Sequence, residues 1–484
     1  MKKLILTICL SIFTVSNFAQ VGGGSVAGTD PISTSMAKTY AVTARGIHAI
    51  GVNPGLLTWD VKNTVEFTAM FPAPYITIRA GFDFMTLDEY NYFFGGSDQK
   101  NAKGEKVGKY LTPEDKDRFR NLFSTGGLAL AQTSASMFAF VVNTEDAGSF
   151  GFGISDMVSF KVKIPQTFAD LLLDGNPAGS VYNFNGLATD MWWLRKYSLS
   201  YGMDLDLFDK RDVLKTSAGI SLNLIHGFMY FGIERINTYL ETGPNFEITG
   251  QGDLRAIMSF SNSINANYGF DSLANKSETS VGFFPDPAGT GFGIDLGFGI
   301  QFDDIWSVGV AMSNIGSITW KSQAAEFVSD GPIYLDDILS QQQRDSLVSK
   351  IKGEGRYIDE FSTGLPTVLR IGVSAQMDKL IPDFFTGHFL VAFDYNQGFN
   401  NLPGNSTKPR FSLGMEWDPM PDGWFPYLRT GFSFGGDDVF GWAIGGSFHI
   451  GPVELMAATS DFHYIFTPNK TQRVSFSFGS RWHF

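Results

Sequence analysis

The sequence predicts an all-β fold, a transmembrane antiparallel β-barrel of about 14 strands. Three observations predict it. Beyond residue 62 the chain repeatedly alternates bulky apolar side chains with small or polar ones, in stretches of about 9 to 11 residues or longer, enough to cross a bilayer at a tilt. No apolar run of the ~18 residues that a spanning helix requires follows residue 20. A membrane chain without such a helix must satisfy its backbone in a closed barrel. The last stretch is itself a two-faced strand: Val474, Phe476, Phe478, Ser480, Trp482 and Phe484 share one side, and Arg473, Ser475, Ser477, Gly479, Arg481 and His483 the other.

The N-terminus reads as an export signal over 1–19. Lys2 and Lys3 precede an apolar run from Leu4 to Phe13, and Ala19 offers a small residue before a cut at Gln20. The only cysteine, Cys9, falls inside that run, so the mature chain has neither a disulfide framework nor thiolate chemistry. Removing the signal leaves 34 basic against 49 acidic side chains, a net charge of −15. That balance disfavours nucleic acid as a partner.

Residues 20–60 are rich in glycine and small side chains and carry little periodicity. Within them Asn53-Pro54-Gly55 favours a turn. On these residues alone it reads as a capped N-terminal connection.

Residues 61–484 form the barrel. Phe292, Ile294, Leu296, Phe298, Ile300 and Phe302 alternate with glycines, Asp295 and Gln301. Parity places Phe302 opposite Trp306 across a three-residue turn, Asp303-Asp304-Ile305. The same rule holds for strands through Tyr197–Leu205, Leu369–Val373, Phe389–Tyr395, Phe411–Trp417 and Phe440–Phe448. Leu128–Val142 and Lys215–Glu234 each read as one strand or two. A soluble sandwich alternates too, but here one face is Phe, Trp, Leu and Ile and the other mostly Gly, Ser and Ala. That division suits lipid on one side and a crowded lumen on the other.

Three insertions break the alternation. In the first, about 86–124, Thr112-Pro113-Glu114-Asp115 starts a helix, with Phe119, Leu122 and Phe123 on its apolar face. The second, about 164–188, carries Phe168, Leu171 and Leu172. The third, about 318–365, predicts a helix from Tyr334 to Lys352 that includes Ile338 and Leu339. Each stripe either packs on its neighbours or contacts ligand. Phe119, Leu122, Phe123, Ile338 and Leu339 are therefore the candidate ligand-binding residues.

Chemistry-bearing motifs are sparse. The six histidines show no metal-ligand spacing, so no metal is expected, and no nucleotide loop, G-x-S-x-G elbow or H-E-x-x-H helix is present. No catalytic set, enzyme activity or cofactor is expected. Arg370, His388, Asp394, Glu416 and His449 fall on lumen faces, where they line a pore or, as enclosed charges favour, pair into a plug.

Two resemblances follow. Ser477, Gly479, Trp482 and Phe484 match each fixed position of the terminal signal of bacterial outer-membrane proteins, which implies insertion by the barrel-assembly machinery and outer-membrane lipid as surroundings. Ala44-Arg45-Gly46 through Asn53-Pro54-Gly55-Leu56 resembles the N-terminal segment of the long-chain fatty acid transporter (FadL-like) superfamily. Asn53 and Pro54 match, and Gly55 stands where alanine is usual. Gly291 to Trp320 resembles hairpins of its Bacteroidetes-type members. The resemblance implies a 14-stranded barrel whose lumen is closed by an N-terminal hatch. It also implies passage of hydrophobic small molecules, or, in other branches, protein secretion or surface attachment.

Overall fold

The computed structural model describes residues 30–484, apart from 60–63, 97–103, 105–106, 145, 208–212, 265, 267, 269, 271–281, 337–340, 343–349, 351–352, 422 and 437–439. The strands in chain order are β1 (Val65–Thr68), β2 (Tyr75–Phe82), β3 (Gly127–Thr144), β4 (Gly148–Ile164), β5 (Val181–Asn183), β6 (Ala188–Asp204) and β7 (Val213–Ile236). There follow β8 (Tyr239–Thr242), β9 (Ile248–Phe260), β10 (Gly289–Phe302), β11 (Trp306–Trp320), β12 (Ala325–Leu335), β13 (Glu354–Tyr357) and β14 (Phe361–Gly364). The last seven are β15 (Val368–Gln376), β16 (His388–Gly398), β17 (Arg410–Asp418), β18 (Tyr427–Gly435), β19 (Phe440–Ile450), β20 (Val453–Thr459) and β21 (Arg473–His483).

Neighbouring strands pair antiparallel into a closed barrel of fourteen staves. β1 and β2 are two parts of one stave, because both lie between β3 and β21. β14 and β15 likewise share the stave beside β11. Closure follows the side-chain pattern: a period of two fixes which face meets the lumen, and a one-residue slip would turn every Phe inward. Phe292, Leu199 and Phe476 point outward and are about half exposed, while Ser200, Ser221, Asn223 and Asp295 are buried inside. Phe302 pairs with Trp306 as expected. Gly127–Thr144 and Val213–Ile236 are each a single strand.

β7 outgrows the wall. Its first part pairs with β10, and Met229–Ile236 pairs with β9 beyond the barrel. β12, β13, β8 and β5 extend this projecting sheet. Connections are short at the opposite end, where Asp303–Ile305 and Gly451-Pro452 are tight turns.

The first insertion contains the expected helix, Pro113–Leu122, closed by a reciprocal capping box between Thr112 and Asp115. The second contains a helix over Thr167–Asp174. The third differs from expectation at its start. Tyr334 and Leu335 end β12, where they pair with Thr249 and Ile248, so cross-strand pairing overrides the helical spacing there. Ile338 and Leu339 lie outside the described residues.

Candidate functional site

Residues 30–59 lie inside the barrel. A short helix, Pro31–Ser35, begins at Asp30, whose carboxylate accepts the Ser33 N–H at 2.9 Å. Single turns follow at Gly46–Ala49 and Pro54–Thr58. Polar bonds from the wall hold the segment. Asp394 of β16 accepts the N–H groups of Tyr40 and Ala41, both at 2.6 Å. Ser313 donates to the Val52 carbonyl at 3.1 Å, and the Trp59 indole donates to Ser217 at 2.6 Å. Asn53 donates to the carbonyls of Ala41 (2.8 Å) and Phe298 (3.2 Å), and its side-chain oxygen caps the Gly55 N–H at 3.1 Å.

The wall's glycines make room for this main chain. A Cβ on Gly297 would stand 2.7 Å from the Gly55 nitrogen, and one on Gly55 would stand 2.8 Å from the Gly297 carbonyl. Two backbones touch here without a side chain between them. This explains why glycine stands at Gly55 where the resembled pattern has alanine.

Between this segment and the wall lies a lumen cavity of about 130 Å³. Ile47, Ile50 and Val52 form its inner side, and Ala139, Leu194 and Ile225 much of its outer side. Its polar margin holds Lys196, whose ammonium is 3.4 Å from the Asn314 side-chain oxygen and 3.6 Å from Asp295. At the other margin His48 stacks on Tyr75, with ring centres 5.3 Å apart, and its Nδ1 is 3.4 Å from Asp30. Toward the long loops the lumen is filled by the wall's own Trp192, Tyr230, Ile257, Ile318 and Trp320.

The remaining sequence candidates fall in two places. Phe119 and Phe123 are buried, and with Leu122 they pack against Phe84, Met85, Phe93 and Ile164 in a cluster above the wall. Ser477 is buried and its hydroxyl lies 2.7 Å from that of Thr77. Gly479 leaves room for Tyr75, whose Cα a Cβ would approach to 2.9 Å. Trp482 and Phe484 stack on Phe67 at 5.8 and 6.0 Å, and Phe484 exchanges both backbone hydrogen bonds with Val65 at 3.0 Å. The four residues of the terminal motif thus lie along the seam between the last stave and the first.

The sequence families decide the assignment at this point, since one pattern matches residues 84–460. The chain belongs to a family of unknown function (DUF5723). No curated protein matches it. Solved structures with a similar course include a mutant of the TodX monoaromatic hydrocarbon channel, at 11% identity and a TM-score of 0.45, covering 94% of this chain and 99% of that one. A FadL homologue from Pseudomonas aeruginosa is similar at 12% identity and a TM-score of 0.40, covering 96% and 100%. The toluene transporter TodX of P. putida is similar at 10% and 0.41, covering 94% and 96%. The fourteen-stave closure of this DUF5723 chain rests on its own strand pairing.

Sequence spacing missed two polar constellations, because both join residues of different staves. On the outer face Arg195 of β6 donates to both oxygens of Asp156 on β4, at 2.6 and 2.8 Å, and to the Phe283 carbonyl at 2.7 Å. The rings of Phe283 and Phe284 cover its guanidinium at 5.4 and 5.5 Å. At the short-turn mouth, Glu66, Glu416, Arg429, His449, Glu454, Arg481 and His483 form one network. Of the charges assigned to the lumen, Arg370 and Asp394 are buried there and Glu416 pairs with Arg429. His388 instead reaches the short-turn end, exposed beside Asp378. The absence of metal-ligand spacing along the chain also needs correction in space: His449, Glu454 and His483 converge, with their ligand atoms all within 4.8 Å.

Proposed function

We propose that the protein is an outer-membrane barrel for passive uptake of small hydrophobic compounds, with residues 20–60 as its hatch. The carrying observation is the lumen cavity of about 130 Å³ between the inner segment and the wall, with apolar sides at Ile47, Ile50, Val52, Leu194 and Ile225 and a polar margin at Lys196 and His48. Dry apolar cavities of about 150 Å³ accept a benzene ring, so this volume favours one small ring over a long acyl chain. Burial at roughly 25 cal/mol per Å² would hold such a guest without specific polar contacts. The loop cluster floored by Phe119, Leu122 and Phe123 serves as the capture surface, with exposed Tyr90, Phe94 and Leu172 at its rim. The barrel-assembly machinery would insert the protein through its terminal motif, into outer-membrane lipid.

Uptake of labelled toluene-sized aromatics and of a long-chain fatty acid, with and without the gene, tests this reading. Faster aromatic entry that an Ile50→Trp variant abolishes supports it, and equal rates for every compound sink it.

One observation favours a second reading, an interaction or assembly barrel used in secretion or surface attachment. The sheet of β5, β8, β9, β12 and β13 projects past the wall and exposes Val181, Tyr239, Tyr334 and Tyr357. A stoichiometric protein partner that co-purifies through this sheet, with unchanged uptake, would select it.

A further inference from the structure

We propose that His449, Glu454 and His483 form a binding site for a divalent cation of the zinc class at the short-turn mouth, independent of what the lumen carries. The register builds the site. His449 pairs with Glu454 across the β19–β20 turn, and Glu454 pairs with Arg481 on β21. His483, two residues beyond Arg481, returns to the same inward face. Three staves therefore hold three ligands on paired strands, which fix side chains more firmly than loops do.

The distances fit a small cation. Glu454 Oε2 is 3.4 Å from His483 Nε2 and 3.8 Å from His449 Nε2. Tetrahedral zinc, with ligands at about 2.0–2.2 Å, sets its donors about 3.4 Å apart, so one edge already matches. His449 stands at the rim, its side chain 41% exposed, and a small ring rotation brings it the rest of the way. Two imidazoles and a carboxylate suit zinc, nickel or copper better than calcium or magnesium. Three protein donors leave a coordination position for water.

The surroundings support the donors. Glu66 Oε1 lies 3.8 Å from His483 Nδ1, behind the ring. A carboxylate that closes on Nδ1 by less than 1 Å would accept its N–H, fix the imidazole tautomer and leave Nε2 to face the cation. Arg481 donates to Glu454 Oε2 at 2.5 and 3.0 Å and competes for that carboxylate. The Glu454 carboxylate offers about four lone-pair directions and Arg481 takes two, both on Oε2, so a cation binds through the remaining directions or displaces one of these hydrogen bonds. Three carboxylates (Glu66, Glu416 and Glu454) face two guanidiniums (Arg429 and Arg481), which leaves one net negative charge for an incoming cation. Bound there, the cation would tie β19, β20 and β21 together and, through Glu66, reach β1 across the seam.

The test uses the full-length barrel in detergent, free of any polyhistidine tag and stripped with chelator. Calorimetric titration with ZnCl₂ should show one site per chain, and Cu²⁺ in its place should give an electron-paramagnetic spectrum with nitrogen hyperfine splitting. His449→Ala touches only the exposed rim and should weaken Zn²⁺ binding by about a hundredfold while heat-modifiable mobility stays normal. Glu66→Gln should weaken it by about 10–100-fold, through the support of His483 and the loss of one of the three carboxylate charges. Wild-type protein that takes up no zinc, or a His449→Ala variant that binds zinc as the wild type does, overturns the proposal.

Discussion

The lumen is filled in two ways, and they fail differently. Over much of its cross-section the filler is a separate piece of chain, residues 30–59, set against staves stripped to glycine and serine. Toward the long loops the filler is the wall itself, where Trp192, Tyr230 and Trp320 share one buried cluster, with Tyr230 and Trp320 ring centres 5.3 Å apart and their planes tilted by 36°. The first arrangement depends on directional hydrogen bonds and close backbone approach. The second depends on side-chain volume. A segment held by separable bonds can leave a barrel that stays intact, whereas aromatic packing cannot be removed without loosening the staves that carry it.

Trp320→Ala makes the largest difference. Trp320 is fully buried, and its loss should lower barrel stability by about 3–5 kcal/mol, read from the urea midpoint in lipid vesicles. Asp394→Ala should act on the segment instead. Two buried N–H groups lose their acceptor, at about 1–3 kcal/mol each, so Arg45 should become open to trypsin while heat-modifiable mobility persists. Gly297→Val should have the same signature at about 1–3 kcal/mol, since a side chain there enters the space of Gly55. If either segment variant unfolds the barrel as Trp320→Ala does, the two regions are one cooperative unit.

The smallest expected effect lies outside the barrel, in the projecting sheet. Burial alone would raise the carboxyl of Glu326. Hydrogen bonds from Arg356 at 2.7 Å and Arg255 at 3.0 Å, with their charges, outweigh it and hold the group below the ordinary carboxylate range. A folded pKa below the unfolded one stabilises above the unfolded value, about 4.3, and the stabilisation fades as pH falls through the folded value. Protection factors of the amides in β9 and β12, corrected for the intrinsic exchange rate, should therefore fall on acidification below about pH 4. Glu326→Gln should remove that pH dependence and leave segment 30–59 protected.

How far the sequence could be read follows from the range of each signal. Alternation is local, so strands such as Gly289–Phe302 and the turn at Asp303–Ile305 were legible residue by residue. The cap at Thr112 was legible for the same reason. Tyr334 was misread because a helical spacing of apolar residues and a strand edge look alike until β9 supplies a partner. The convergence of His449, Glu454 and His483 left no trace in spacing, because register across two strand pairs brings them together. The pair Arg195–Asp156 was hidden likewise, and on a face whose pattern calls for apolar residues. The glycines opposite Asn53-Pro54-Gly55 were visible, but only contact shows that they make room for main chain.

What the sequence alone determined is the barrel: a period-two pattern with no apolar helix leaves a closed antiparallel wall as the way to satisfy every backbone group in a bilayer, and side-chain chemistry chooses which face meets lipid. What the tertiary structure decided is everything set by closure. The sharing of single staves by β1 with β2 and by β14 with β15, the cavity beside Ile50 and the polar cluster at the seam all depend on which strands become neighbours and in what register. That information resides in no single stretch of the chain, because each stave's partner is chosen by competition among all the others.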